Sequence, residues 1–390
     1  MKGIIVVGDR RAKSIRLKGI VKNKMKIKQI ESFAVKLDEP KSNDYRITSL
    51  GITRIKTDEG ITGYGFSGTD NTVLEEQVKP KLLEANPLDI EYHLQNGAIA
   101  GCSAVENALW DIVGKVAGLP VRSLIGSAKD RIPYYLTCVW PGNPDQSHLK
   151  IEEQAEQIIR YCEMGHTRFK IRGWRPNHLD DVRVVETVFK ACGEKNKPEI
   201  MIDRTAHAPG WIWTYKQALE VARGLEAIGA TWLEEPFARD DIESYRRLRD
   251  EVDIPITGGE FGNQMKHFVD YLVAGAVDII QPDCGNSGGI WRCRKVGILA
   301  EAFDTPCILH GSNGPFLSAS LQVASAIPSC RVMEIALIFP PLTPEQMWEP
   351  VNKILKNPPL FRMKDGFIDL PTGPGLGIEL DEESLEKLRQ

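Results

Sequence analysis

The sequence has no apolar run near the ~20 residues that a helix needs to cross a bilayer, so no membrane partner is expected. "IIVV" near the start is too short for the apolar part of a secretion signal, and Asp9, Arg10 and Arg11 follow it closely. No C-x-x-C pair occurs among the eight cysteines (102, 138, 162, 192, 284, 293, 307 and 330). Scattered in this way, they read as reduced thiols of a cytoplasmic protein, many of them in its core. Positive charge is not in excess: 49 Lys and Arg stand against 53 Asp and Glu, a net charge of −4. Without a basic field the chain has little with which to grip nucleic acid.

What is present suits one large domain and a smaller one: 390 residues, 42% hydrophobic and 26% charged. Residues 1–24 carry eight Lys or Arg against one acid, Asp9, and read as a solvated basic extension. The fold is expected to begin at Met25. "ITSLGITRIKTDEGITGYGFSG" predicts a hairpin turning near Asp58, Glu59 and Gly60. "CSAVENALWDIVGKVAGLP" predicts a helix capped at Ser103, with Val105, Ala108, Leu109, Ile112 and Val116 on its apolar face. These form a small α+β domain over 25–130. The Gly- and Pro-rich tail, 355–390, is expected to return to it.

Between 131 and 354 a strand–helix rhythm recurs. Short apolar runs lie at 132–139, 167–172, 199–204, 231–235, 254–259, 277–282, 306–310 and 331–338. Helical stretches such as "IEEQAEQIIRYCEMG" and "YKQALEVARGLEAIG" separate them, each closing on a glycine. Eight such units predict a parallel (β/α)8-type barrel. No G-x-G-x-x-G follows its first strand, so a doubly wound dinucleotide fold loses its best support.

Three consecutive strands of this series finish in a carboxylate. One ends at Asp203, the next at Glu234 and Glu235, the third at Glu260. As isolated residues they would read as helix N-caps. In a barrel, strand ends converge on the face where active sites sit. Converging carboxylates repel one another unless a cation lies among them, and an oxygen-only set suits Mg²⁺ or Mn²⁺. No His or Cys joins the set, which argues against zinc. On the preceding strand Lys170 and Arg172 share a face and need anionic partners. Asp283 ends the sixth strand and His310 the seventh, placed so that Asp283 can orient the imidazole as a base. Glu334 lies on the eighth.

Together these residues resemble the mandelate racemase subgroup of the enolase superfamily, from about Met25 onward. "SAVENALWDIVGKVAGLP" is similar to that family's A-x-x-x-A-L-W-D-I-x-G-K-x-x-G-x-P segment. The resemblance implies a (β/α)7β modified TIM barrel with an α+β capping domain. It implies Mg²⁺ held by Asp203, Glu234 and Glu260, a His310–Asp283 acid/base dyad, and Glu334 hydrogen-bonded to a substrate carboxylate. It also implies a homo-oligomer. Two positions depart from the family. Arg172 stands where a second lysine base is common, and guanidinium does not give up its proton. Thr205 stands where Asn is common.

The implied chemistry is proton abstraction alpha to a carboxylate. Lys170 and Arg172 add positive field, and a protonated Glu334 could donate a hydrogen bond to the enediolate. With one base, elimination of a 3-hydroxyl is favoured over racemisation. The expectation is therefore a dehydratase acting on a small sugar acid. The alternatives are a 2-hydroxy-acid racemase or epimerase, and a non-catalytic binding protein. Substrate contacts are expected from the 38–46 loop with Tyr45 and Arg46, from residues 67–72, and from Trp174, Thr205 and His207.

Overall fold

The computed structural model describes residues 25–40, 45–139, 149–206 and 210–390. The basic extension and His207 lie outside them. A three-stranded antiparallel sheet, β1 (Ile27–Lys36), β2 (Ser49–Thr57) and β3 (Thr62–Gly65), begins the chain. β2 and β3 form the expected hairpin, with Gly60 at φ 79° in its turn.

Helix α1 (Ser103–Ala117) packs on β2 and β3. Val105, Ala108, Leu109 and Ile112 are buried as expected, but Val116 is 42% exposed. The cap residue is Cys102 rather than Ser103, because the Ser103 hydroxyl is used elsewhere: it donates to the Gly285 carbonyl. Sheet and helix touch backbone to backbone. A Cβ on Gly63 or Gly65 would lie 2.2 Å from the Ala108 carbonyl oxygen or 1.9 Å from that of Ala104.

The barrel follows, built from β4 (Arg131–Cys138), β5 (Arg168–Arg172), β6 (Glu199–Asp203), β7 (Leu233–Glu234), β8 (Ile256–Gly258), β9 (Ile279–Ile280) and β10 (Met333–Ile338). β4 to β9 pair in parallel in chain order, and β10 pairs in parallel with β4. The expected strand at 306–310 makes single bridges instead, Cys307 to Ile280 and His310 to Asp283, and Ser312 bridges Ile335 of β10. Through them the pairing order returns to its start. Helices α2 (Ile151–Glu163), α3 (His178–Cys192), α4 (Tyr215–Ile228), α5 (Ile242–Glu251), α6 (Met265–Ala274), α7 (Ile290–Ala302) and α8 (Leu317–Ala326) connect these elements. Gly165 follows the end of α2, and Gly229 caps α4 in the left-handed conformation.

The tail divides its contacts. β11 (Met363–Lys364) and β12 (Phe367–Asp369) form a hairpin, and β12 pairs with the first residues of β4, at Arg131, Ile132 and Pro133. Beyond it the chain reaches the first domain. Gly375 bridges Pro120, the Asp111 carboxylate of α1 accepts from Leu376 N at 2.8 Å, and Arg389 bridges Val35. No helix among the described residues is long and apolar enough to cross a membrane.

Gly65→Ala should cost about 1–3 kcal/mol or more, because backbone on both sides resists displacement. The measurement is the urea midpoint; a midpoint equal to wild type would mean that β3 and α1 can separate freely.

Candidate active site

Strand alternation sends Phe169 and Ile171 into the apolar core, and Lys170 and Arg172 to the opposite face. Arg172 and Asp203 are ladder partners, and so are Asp203 and Glu234. The ends of β5, β6 and β7 thus bring cations and carboxylates together. Lys170 is fully buried, its Nζ 2.7 Å from Glu234 Oε1, 3.1 Å from Glu334 Oε1 and 3.5 Å from Asp203 Oδ2. Burial opposes its charge, but these carboxylates outweigh burial and hold the ammonium well above the usual lysine range. Arg172 Nη1 donates to Asp203 Oδ2 and to Thr205 Oγ1.

The two adjacent acids of "TWLEEPF" part at the strand end. Glu234 faces Lys170, and its second oxygen accepts from Trp232 Nε1 and Gln281 Nε2, each at 3.1 Å. At Glu235 the chain takes φ 45° and the carboxylate meets Arg239, whose Nε lies 2.9 Å from Oε2. Arg239 Nη2 also reaches Glu260 Oε1 at 3.0 Å.

Across the barrel, Asp283 Oδ2 lies 2.6 Å from His310 Nδ1. Asp283 Oδ1 accepts from the Gly285 and Asn286 amides at 2.6 and 2.7 Å. With Nδ1 engaged, His310 Nε2 is left facing inward, 2.6 Å from Glu260 Oε2. Those two atoms are buried and close but not aligned for a hydrogen bond. Burial disfavours imidazolium, yet Glu260, Glu334 and Asp283 raise His310 well above its ordinary range.

Charge counting tests the fit of a cation here. Asp203, Glu234, Glu235, Glu260, Asp283 and Glu334 supply six carboxylates. Lys170, Arg172, Arg239 and a protonated His310 supply four positive charges, leaving two negative charges uncompensated. Burial and the neighbouring acids accordingly push the carboxyls of Glu234 and Glu235 up to about 7 and about 8. One divalent cation would supply the missing charge, and the donors are predominantly hard oxygens. Glu234, Glu260 and His310 offer ligand atoms within 4.8 Å of one another.

Several expectations change. Asp203 is outside that tight group, turned toward Arg172 and Thr205, and a histidine is inside it, where the sequence suggested oxygen alone. The N-cap reading of the acids fails, since Thr214, Asp241 and Gln264 occupy the cap positions of α4, α5 and α6. Glu334 was expected as a protonated donor; despite burial, Lys170, His310, Thr137 and the Gly311 amide shift its carboxyl below the usual range, which favours the ionised form. Both its oxygens are engaged, by Lys170, Thr137, Tyr135 and the Gly311 amide.

A cavity of about 550 Å³ lies between the first domain and the barrel, reaching Arg172, Asp283 and His310. Ser67, Thr69 and Asp70 line it, within the expected 67–72 segment. Tyr45, Arg46, Trp174 and Thr205 are not among its lining residues. Tyr45 stacks on Phe339 at 4.8 Å, Arg46 lies 3.4 Å from Asp38, Trp174 Nε1 donates to the Arg204 carbonyl, and Thr205 Oγ1 donates to Asp203 at 2.7 Å. Sequence reasoning missed Asn107, Asn286, Ser312 and Asn313, which also line the cavity. For the last two the signal was their place directly after His310. A second cavity, about 590 Å³ beneath the tail near Lys115 and Leu360, is lined by none of the strand-end acids.

Residues 151–384 match the enolase C-terminal domain-like family, and residues 45–126 match the mandelate racemase / muconate lactonizing enzyme N-terminal domain. The chain is 30% identical over 356 residues to arabinonate dehydratase of Saccharolobus solfataricus, covering 86% of this chain and 90% of that one. It is similar to the crystal structure of D-glucarate dehydratase from Agrobacterium tumefaciens complexed with magnesium (TM-score 0.76, 26% identity, 94% of this chain and 100% of that one). It is also similar to 3,6-anhydro-D-galactonate cycloisomerase from Zobellia galactanivorans (TM-score 0.73, 26% identity, 94% and 99%).

Lys170→Met removes a cation that touches three buried carboxylates at once. It should cost about 3–5 kcal/mol, the usual consequence of stripping one partner from a buried ion pair, read as a fall in the urea midpoint. An unchanged midpoint would mean that the carboxylates are neutral without it.

Proposed function

The chain belongs to the mandelate racemase / muconate lactonizing enzyme family of the enolase superfamily, and from that premise we propose that it is a Mg²⁺-dependent dehydratase of a sugar acid. The observation that carries this reading is the pairing of one competent base, His310 with Asp283 at 2.6 Å, with permanently charged groups opposite it. The names of the relatives, arabinonate and D-glucarate dehydratase among them, support the substrate class.

Glu234 and Glu260, whose carboxylates already lie in one group, would hold the cation, and Asp203 would complete the set on turning from Arg172. When bound, the cation supplies positive charge against the second negative charge that develops on a carboxylate as its alpha proton leaves. Lys170 and Arg172 keep further positive field beside that carboxylate. Asp283 fixes the His310 tautomer, so that Nε2 takes the proton from carbon 2. The electron pair of the broken C–H bond forms the carbon 2–carbon 3 double bond as the 3-hydroxyl departs. His310 returns its proton to that hydroxyl, which leaves as water. The resulting enol tautomerises to a 2-keto-3-deoxy acid. Racemisation needs a second base on the other face. Arg172 stands where that base would be, and Lys170 is held charged by its three carboxylates.

A library of mono- and diacid sugars with Mg²⁺ should give a 2-keto-3-deoxy acid from at least one member. His310→Asn should lower kcat by about 10²–10⁴-fold, the usual worth of a general base. Exchange in D₂O with a 2-hydroxy acid that cannot eliminate should proceed with retention at carbon 2. Accumulation of the opposite isomer, lost in Lys170→Ala, would overturn the one-base reading.

The metal assignment is tested separately by melting. Mg²⁺ should raise the midpoint of the wild-type protein over that in EDTA, and Glu234→Gln should abolish the shift while remaining folded. A full shift in Glu234→Gln would move the cation elsewhere.

A further inference from the structure

Glu106 lies on α1, in the first domain, and takes no part in the chemistry above. It is fully buried, and its contacts cross to the barrel. Its Oε2 accepts from the Ile290 amide and its Oε1 from the Trp291 amide, both at 2.8 Å; Trp110 Nε1 donates to Oε1 at 3.0 Å. Ile290 and Trp291 are the first residues of α7. A helix starts with unpaired amides that normally find a cap on their own chain segment. Here the cap position is Gly289, at φ 102°, with no side chain to offer. A side chain would not fit: a Cβ there would fall 2.0 Å from Glu106 Oε2. The first domain therefore caps a barrel helix. Burial pushes the Glu106 carboxyl up to about 7, while the two amides, Trp110 and the charge of Arg292 favour its ionised form.

The segment before α7 is the one that carries Asp283. Ser287 N donates to the Asp283 carbonyl at 2.7 Å, Asp283 N donates to Ser287 Oγ at 3.1 Å, and Asp283 Oδ1 holds the next two amides of the turn. The turn is thus tied to itself and to the carboxylate that orients His310. It is pinned to the first domain by three residues of α1: Asn107 Oδ1 accepts from the Ile290 amide at 3.3 Å, beside two contacts from the first turn. Ser103 donates to the Gly285 carbonyl, and Glu106 grips α7 just past Gly289.

We propose that Glu106 is a positioning residue for the base: by capping α7 from the first domain, it fixes the turn that aims Asp283 at His310, so that docking of the two domains sets the orientation of the dyad. This rests on the dehydratase reading for its rate measurements but not for its structural one.

The test is a double-mutant cycle with Glu106→Gln, Asp283→Asn and both together. In Glu106→Gln one amide of α7 faces a side-chain NH₂ in place of an acceptor. Its kcat should fall at least about tenfold with KM within about twofold of wild type. If Glu106 acts through Asp283, the double variant should be no slower than Asp283→Asn within about twofold, since coupled residues are not additive. An unchanged kcat, losses that multiply, or an effect confined to KM would each overturn the proposal. The substrate-free readout is the Nδ1–H proton resonance of His310 in ¹⁵N-histidine-labelled protein. It should shift or broaden in Glu106→Gln, and an unmoved resonance would overturn the proposal even if no substrate were found. Should Glu106→Gln fail to fold, Ser103→Ala relaxes the same turn at Gly285. It should then displace the same resonance, and an unmoved signal would count against the idea. Absence of 2-keto acid from the wild-type protein would instead sink the dehydratase reading, leaving the resonance to decide this one.

Discussion

The ammonium of Lys170, buried among Glu234, Glu334 and Asp203, is the constraint around which the barrel mouth is arranged. A carboxylate taken out of water without a partner costs several kcal/mol, and this chain buries six near one another. Each is given a cation or an array of donors: Lys170 and Arg172 on one side, Arg239 behind, His310 across. The balance still falls two charges short, a shortage that one divalent cation would make good. The same acids favour the charged form of His310, and neutralising them would leave its Nε2 free to take a proton.

Local strain serves this arrangement. Thr205, β-branched, sits at φ 46°, in a region that costs such residues about 1–3 kcal/mol. The conformation lets both its amide and its hydroxyl reach Asp203 Oδ1, each at 2.7 Å. Glu235 is turned in the same sense, and this sends two adjacent acids to different cations, Lys170 and Arg239. Backbone strain at strand ends thus distributes like charges that would otherwise collide.

The first domain is more than a lid over the cavity. It supplies Ser67, Thr69 and Asp70 to the cavity wall, and through Ser103 and Glu106 it holds the turn that carries Asp283. The glycines that allow this are set by backbone contact. Gly65 lets β3 meet α1, and Gly289 leaves room for the carboxylate of Glu106. The cap-like docking and the aim of the base share one helix turn.

The sequence by itself determined the rhythm of the barrel, the hairpin, and the acids at three successive strand ends, because period-two and helical patterns and the position of a residue on its strand are local properties. It also showed Lys170 and Arg172 on one face and Asp283 level with His310. Tertiary structure alone decided which acid met which cation. It turned Asp203 to Arg172, brought His310 within 2.6 Å of Glu260, and set Glu334 against Lys170 at 3.1 Å. It likewise placed Tyr45, Arg46, Trp174 and Thr205 off the cavity wall and gave Ser103 and Glu106 their partners in the barrel. Charge pairing and domain docking depend on distances between segments far apart in the chain, and the strength of each contact depends on burial that only the packed molecule creates.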